Sequence, residues 1–304
     1  MKQFIDKLKV LYYSNGFVRL FLALPVSLRH MALNFRRKSA FDALERLKNF
    51  ARGDIVLHVS EFKGDFQLAP SSHLLTRVLV DGEYEPELAA LTWCHIDPQR
   101  DFIDVGANVG FYSVLAGQAL PNRRVLAIEP SAAAHTRLLV NLERNHVRER
   151  CIVFNGLAGS SNAERDLQII EGLEEYSSVS TLKHFAIEGR EARVERVPQS
   201  TIDSLVEQHH LAPGFIKIDV EGFEMEVLKG ASETLRIHRP VVLCEVSDEL
   251  LAQSGSSSGE LFKYLKSFGY RLSDPLMPAL APGKRGYGDV LAIPEGSLSS
   301  VPTL

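Results

Sequence analysis

From Asp101 onward, apolar runs of four to six residues alternate with longer stretches of helical period. Asp101-Phe102-Ile103-Asp104-Val105 passes through a glycine-containing turn into Phe111–Leu120, and Arg124–Ile128 leads into Ala132–Asn145, where Leu138, Leu139 and Leu142 recur at helical spacing. Cys151–Phe154 is a third run; Phe215–Ile218 precedes Phe223–Leu235, and Val241–Cys244 precedes a Ser/Gly-rich loop and then Leu261–Phe268. Short continuous apolar runs fit strands buried on both faces, and the periodic stretches fit the helices that cross over and cover them. The pattern predicts an α/β fold: a Rossmann-like, doubly wound, mostly parallel sheet. Tyr270–Leu272 and Asp289–Ile293 have no helix between them and predict a terminal antiparallel addition to that sheet. Asp166–Ile170 and Arg193–Val197 predict a strand pair inserted before a helix opened by Ser200-Thr201-Ile202-Asp203.

Charge divides the chain where the rhythm does not. Residues 1–53 hold eleven Lys and Arg against three acids, a net charge of +8, while the rest carries −12. This gives three segments: a basic, mainly helical N-terminal extension (1–53), a lead-in that packs on the following domain (54–97), and the α/β domain (98–304). The most apolar stretch of the extension, Phe17–Pro25, is broken by Arg19 and far short of the ~20 residues a membrane-spanning helix needs. No small-residue cleavage site follows it, so no secretory signal is expected. A basic helix of this kind is either a solvated extension or a peripheral anchor on anionic membrane. The overall net charge of −4 argues against general nucleic-acid binding. Three cysteines without a CxxC pair fit a reducing, cytoplasmic setting.

Four of the apolar runs end in an acid: Asp104, Glu129, Asp219 and Glu245. In open α/β sheets the ligand crevice lies outside the carboxyl ends of the strands. Carboxylates gathered there repel phosphates and suit a ligand with positive charge and sugar hydroxyls. GxxxxGK[ST] is absent, so a P-loop nucleotide site is not supported. Asp104-Val105-Gly106-Ala107-Asn108-Val109-Gly110 follows one strand and opens a helix, with Gly106 and Gly110 permitting close backbone approach and Asn108 tolerating a left-handed conformation. A dinucleotide fingerprint needs glycines where Asn108 and Phe111 stand. Glu129, ending the next strand before Pro130, can accept hydrogen bonds from two ribose hydroxyls.

The ordered string FIDVGANVGF (102–111), AIEP (127–130), STIDSL (200–205), IKIDVEG (216–222) and VLKGA (227–231) resembles the FkbM family, with Tyr84-Glu85 and Asp289–Pro294 also fitting. The resemblance covers roughly Gly82 to Pro294 and implies a class I S-adenosylmethionine-dependent methyltransferase fold, with O-methylation of a saccharide or other natural product as the expected activity. It implies S-adenosyl-L-methionine as cofactor and a small-molecule or saccharide methyl acceptor. By the same resemblance, Asp104, Gly106, Asn108 and Gly110 hold the methionine part and Glu129 binds the ribose. Asn155 and Ala158 flank the adenine, and Glu85 reaches in from the preceding segment.

In Ile216–Gly222, Ile216, Ile218 and Val220 alternate with Lys217, Asp219 and Glu221. Burying Lys217 and Asp219 unpaired in a central strand would be costly, so they either form a structural network or line the transfer cleft. Asp219 is the first candidate for catalytic base or acceptor orienter, followed by Glu245 and Glu221, with Lys217 positioning substrate or tuning Asp219. Asp219 and Glu245 offer hard oxygen ligands to a divalent metal, but two carboxylates do not define a site. The ten histidines, His209-His210 among them, show no ligand spacing. Two rival readings are a nicotinamide-dependent oxidoreductase, which shares the topology and the ribose acid, and a non-catalytic protein that kept the fold.

Overall fold

The computed structural model describes Arg46 and residues 52–169, 193–283 and 286–296. The expectations for the basic extension therefore lie almost wholly outside the described residues. A seven-stranded sheet organises the domain, and its strands are those expected from the apolar runs. In chain order the elements begin with a hairpin, β1 (Ile55–Val59) and β2 (Gly64–Leu68), and two helices, α1 (His73–Val80) and α2 (Pro86–His95). The crossover units follow: β3 (Asp101–Val105), α3 (Phe111–Ala119), β4 (Val125–Ile128), α4 (Ala132–Arg144) and β5 (Cys151–Phe154). A small three-stranded sheet comes next, with β6 (Leu157–Ala158), β7 (Ala163–Ile169) and β8 (Arg193–Ser200). Then come α5 (Ile202–Gln208), β9 (Pro213–Ile218), α6 (Glu224–Lys229), α7 (Ser232–Ile237) and β10 (Val241–Ser247). The order closes with α8 (Asp248–Gln253), α9 (Ser258–Ser267), β11 (Tyr270–Ser273) and β12 (Tyr287–Pro294).

The large sheet runs β11-β12-β10-β9-β3-β4-β5. β10, β9, β3, β4 and β5 are parallel, and β12 lies antiparallel between β10 and β11. From β3 the chain winds one way to β4 and β5, and the later strands β9 and β10 build the other way. The strand order thus reverses beside β3, which puts the ligand crevice over the carboxyl ends of β3, β4 and β9. Alternation within each strand sorts its side chains between two cores. Phe102, Val125, Ala127 and Phe215 join the core under α3 and α4. Ile103, Leu126, Ile128, Ile216 and Ile218 join the one under α5, α6 and α9.

The hairpin closes the first of these cores. Phe62, Phe66, Tyr84, Phe111 and Tyr112 form one aromatic cluster with ring centroids 4.5–6.2 Å apart. Each fully buried ring of this size contributes roughly 1.5–3 kcal/mol. The outer edge of β2 finds its hydrogen bonds on a helix. Asn141 accepts from Gln67 N at 2.7 Å and donates to Gln67 O and Val109 O, while Asn145, one turn on, exchanges the same pair of bonds with Asp65. Two asparagines four residues apart, one in α4 and one capping its C-terminus, thus replace a neighbouring strand. Arg137 adds an ion pair to Asp54 at 2.8 Å.

Two details depart from the expected pattern. The stretch Phe223–Leu235, expected as one helix, breaks into α6 and α7. A Cβ on Gly230 would stand 1.9 Å from the carbonyl oxygen of Gly159, so the backbones touch there. The Asp203 carboxylate then starts α7 by accepting from the N–H groups of Glu233 and Thr234. β10 also runs on to Ser247, and α8 follows where a loop was expected, with Ser247 as its cap accepting from Leu250 N. The inserted strand pair is present as expected, and it joins Leu157–Ala158 in a small sheet of its own.

Candidate active site

The turn after β3 is shaped by contact as much as by conformation. Gly106, Asn108 and Gly110 all have positive φ, at 78°, 48° and 94°. A Cβ on Gly106 would lie 1.8 Å from the carbonyl oxygen of Asp219, so this loop rests directly on the end of β9. Gly110 caps α3, and a Cβ there would come within 2.6 Å of Leu138 Cδ1. Glu129 holds the loop from the other side: its Oε2 accepts from Asn108 N and its Oε1 from Ser131 N, both at 2.8 Å. Burial pushes the Glu129 carboxyl up to about 7 even though both backbone donors favour its charged form. Asn155 donates to the Glu129 carbonyl at 3.0 Å and braces the strand end.

The four strand-end acids fall into two pairs rather than one ring. Asp104 is buried and turns under α3, where it accepts from Ser113 Oγ at 2.6 Å. Burial pushes it up to about 6 against the opposing pull of Ser113 and Lys217. It sits with Glu129 on the β3–β4 side of the crevice. Asp219 and Glu245 stand on the β9–β10 side. Ala158 follows Asn155 past the end of β5, its methyl buried in the core under α5 and α6. Glu221 occupies a left-handed turn position at φ 50°, followed by Gly222 at φ 95°.

Lys217 and Asp219 resolve their burial problem by pairing. Lys217 is opposite Asp104 in the β3–β9 register, its side chain is 3% exposed, and its Nζ donates to Asp219 Oδ2 at 3.0 Å while lying 4.9 Å from the centroid of the Tyr112 ring. Burial works against the ammonium, but Asp219, Glu85, Glu245 and Asp289 together raise its pKa above the ordinary lysine value. For Asp219, burial favours the neutral acid; the Lys217 charge and the hydrogen bonds from Glu245 and Lys217 outweigh it and hold the carboxyl below its usual range. Glu245 takes the opposite course. Burial, the Asp219 charge and the hydrogen bond between the two acids raise it well above an ordinary glutamate. Asp219 is therefore held toward its charged form, a hydrogen-bond acceptor beside Lys217.

Four residues at this site were not singled out beforehand as site residues. Tyr287 donates its hydroxyl to Glu245 Oε1. Asp289 is the register partner of Glu245 across the β10–β12 pair. Tyr112 donates to Glu85 Oε2 at 2.9 Å, and Arg77 lies 3.6 Å from Glu85 Oε1. A signal for the first two existed. An antiparallel strand presents its beginning at the end where parallel strands finish, so polar residues opening β12 belong to the crevice. Among the described residues no group of three or more His, Cys, Asp or Glu is arranged to hold a metal ion, and no helix is long and apolar enough to cross a membrane.

A doubly wound sheet with β12 inserted antiparallel, a glycine loop after its central strand and a buried acid ending the next strand defines a class I methyltransferase fold. The Methyltransferase FkbM domain profile matches residues 104–272, and the chain belongs to that family. Over 239 residues it is 24% identical to the AMB antimetabolite synthetase AmbE of Pseudomonas aeruginosa, covering 68% of this chain and 11% of AmbE, so it spans about a tenth of that relative's length. Among solved structures it is similar to the FkbM methyltransferase of Methylobacillus flagellatus, at 17% identity and a TM-score of 0.43, covering 84% of this chain and 58% of that one. An O-methyltransferase from Bacillus cereus in complex with SAH is also similar, at 13% identity and a TM-score of 0.38, covering 84% of this chain and 98% of that one. Membership of a methyltransferase family removes the ground for the nicotinamide reading.

Proposed function

We propose that the chain is an S-adenosylmethionine-dependent O-methyltransferase acting on a hydroxyl of a saccharide or related small molecule. The observation that carries this reading is Glu129. Both its oxygens are anchored by backbone N–H groups, and each keeps a lone pair with which to accept from a vicinal diol. The donor set fits the cofactor: a carboxylate for the ribose, and a glycine loop at the N-terminus of α3 whose backbone N–H groups suit the carboxylate of the methionine part. Gly106, Asn108 and Gly110 shape that loop, Asp104 braces it through Ser113, Asn155 steadies Glu129, and Glu85 borders the cleft. When bound, the cofactor supplies a methyl group already activated as a sulfonium.

The chain's remaining task is alignment of the acceptor. Asp219, held toward its charged form by Lys217, accepts a hydrogen bond from the acceptor hydroxyl and aims its oxygen. Lys217 keeps Asp219 ionised and fixed. Glu245, hydrogen-bonded to Tyr287, adjoins Asp219 on the β10 side. Glu221 borders the same turn.

Calorimetry tests the cofactor reading. S-adenosylhomocysteine should bind in the micromolar range and NAD should not. Glu129→Ala should weaken binding by about 1–3 kcal/mol, as expected for lost hydrogen bonds to a charged group. Glu129→Gln, which retains the side chain's shape, should fall between; unchanged affinity in both would remove Glu129 from the ribose site. For the basic extension, the +8 charge of residues 1–53 supports peripheral binding to anionic membrane. The full chain should sediment with acidic vesicles at low salt and release at high salt, and a chain starting at Asp54 should not sediment. Salt-insensitive sedimentation would return the extension to a structural role.

A further inference from the structure

Between β11 and β12 the chain displays a run that its own fold does not bury. Leu276-Met277-Pro278-Ala279-Leu280-Ala281 is exposed at all six positions, although no side chain in it is polar. Leu276, Met277 and Leu280 are 40–45% exposed, and Tyr287, just beyond, is 60% exposed. Half of the large apolar residues exposed among the described ones thus fall between Leu276 and Tyr287. The loop is nonetheless fixed. Buried Asp274 accepts from the N–H groups of Leu276 and Met277 at 3.0 and 2.8 Å, and Leu280 N donates to Met277 O at 2.9 Å. Gly283, at φ 78°, rests on α9, where a Cβ would come within 2.6 Å of the Phe262 ring. These anchors hold the backbone and leave the apolar side chains in water.

A contiguous exposed apolar patch marks a contact with a membrane or with another protein, and here charge selects the membrane. From Pro275 to Gly288 the sequence has no acid, and it places Lys284 and Arg285 after the apolar run. Residues 1–53 bring +8, whereas residues 54–304 carry −12. That negative balance disfavours broad adsorption of the domain onto anionic lipid, so attachment falls to the basic extension and to a segment free of acids. A short apolar insertion is weak by itself and becomes stable when a polybasic segment adds a second contact.

We propose that residues 276–281 insert into the interface of an anionic bilayer, with the basic extension as the second, electrostatic contact. The inference rests on the membrane reading of that extension given above. Its consequence for the site follows from Tyr287. Gly286 N donates to Gly283 O at 3.1 Å, turning the chain from the loop's anchor into β12, and the Tyr287 hydroxyl donates to Glu245. Loop and crevice therefore share one rim, and insertion brings the crevice to the lipid surface. That placement favours a methyl acceptor whose hydroxyl is carried on a lipid-anchored molecule.

The experiment uses the full chain with vesicles of phosphatidylglycerol and phosphatidylcholine in equal parts, and with vesicles of phosphatidylcholine alone. Leu280→Trp in a Trp93→Phe background leaves a single tryptophan in the loop, and circular dichroism checks that every variant folds. At low salt its emission should shift to the blue on the anionic vesicles, and lipid brominated in the acyl chains should quench it. Phosphatidylcholine alone should do neither. Leu276→Ser, Met277→Ser and Leu280→Ser together should lower partitioning onto anionic vesicles about tenfold, as expected when three half-exposed apolar side chains no longer leave water. Because all three already face solvent, the free protein should keep its melting temperature. Unchanged partitioning of the triple variant, or sedimentation without quenching, would overturn loop insertion and leave the extension's binding standing. Equal quenching on phosphatidylcholine alone would overturn the anionic preference, and a blue shift that grows with protein concentration without vesicles would assign the loop to a protein contact instead. No sedimentation of the full chain on anionic vesicles would overturn the extension's reading and this inference together.

Discussion

Asp219→Asn is expected to lower turnover about 10²–10⁴-fold, the range for losing a positioned proton-accepting group, while S-adenosylhomocysteine affinity stays within a few-fold of the parent. Asparagine keeps the shape of the side chain but presents no charge to the acceptor hydroxyl. The neutral product ligand is insensitive to that charge and remains held through Glu129 and the glycine loop. The substitution also touches stability. Breaking a buried ion pair by removing one partner costs about 3–5 kcal/mol when the other charge is stranded. Here the cost should be smaller, because the Asp219 side chain is one-third exposed and a second acid adjoins it. With Asp219 neutral, the charge that raises the Glu245 carboxyl disappears, and Lys217 keeps an acid near it. A folded Asn variant with full turnover would make Asp219 structural and send the search for the orienting group to Glu245 and Glu221. Turnover with EDTA and with added Mg²⁺ decides whether the carboxylate acts alone or through a metal.

A second large effect should come from Gly106→Ala. The residue has φ 78°, which costs an L-residue about 1–2 kcal/mol. The added Cβ would also sit 1.8 Å from a backbone oxygen of Asp219, which no side-chain rotation can relieve. Either the loop lifts off β9 or the strand end moves. A loss of roughly 3–5 kcal/mol in unfolding free energy is expected, with S-adenosylhomocysteine binding abolished in any fraction that folds. Gly82→Ala provides the control: its φ is 86°, but a Cβ there meets nothing within 4 Å. It should cost only the conformational part, about 1–2 kcal/mol. Similar melting temperatures for the two variants would mean that the contact between loop and strand is not what holds Gly106.

Much of the scaffold was readable because its determinants are local. Strands buried on both faces must be apolar throughout, and covering helices must repeat every three to four residues. So β3, α3, β4, α4, β5 and β9 fall where the pattern expects them, and the acids that end the runs mark the crevice side of the sheet. Thr201 and Ser247 cap α5 and α8 through their own side chains, yet only the first was legible, since a six-residue helix leaves almost no period to detect.

What tertiary structure decided were the questions of partnership. The alternation in Ile216–Gly222 shows that Lys217 and Asp219 need partners; only the packing of β9 between β3 and β10 shows that they take each other, with Glu245 completing the set. Asp104 and Glu129 look alike as strand-end acids, yet one is turned under α3 to Ser113 while the other grips the glycine loop. Asp289 joins the site because β12 is antiparallel, so that a residue far along the chain begins its strand where Glu245 nears the end of its own. Hydrophobic period and residue type act over a few positions and are written in the sequence; register, charge pairing and the contact of one backbone with another are set by distances between segments that the chain brings together only on folding.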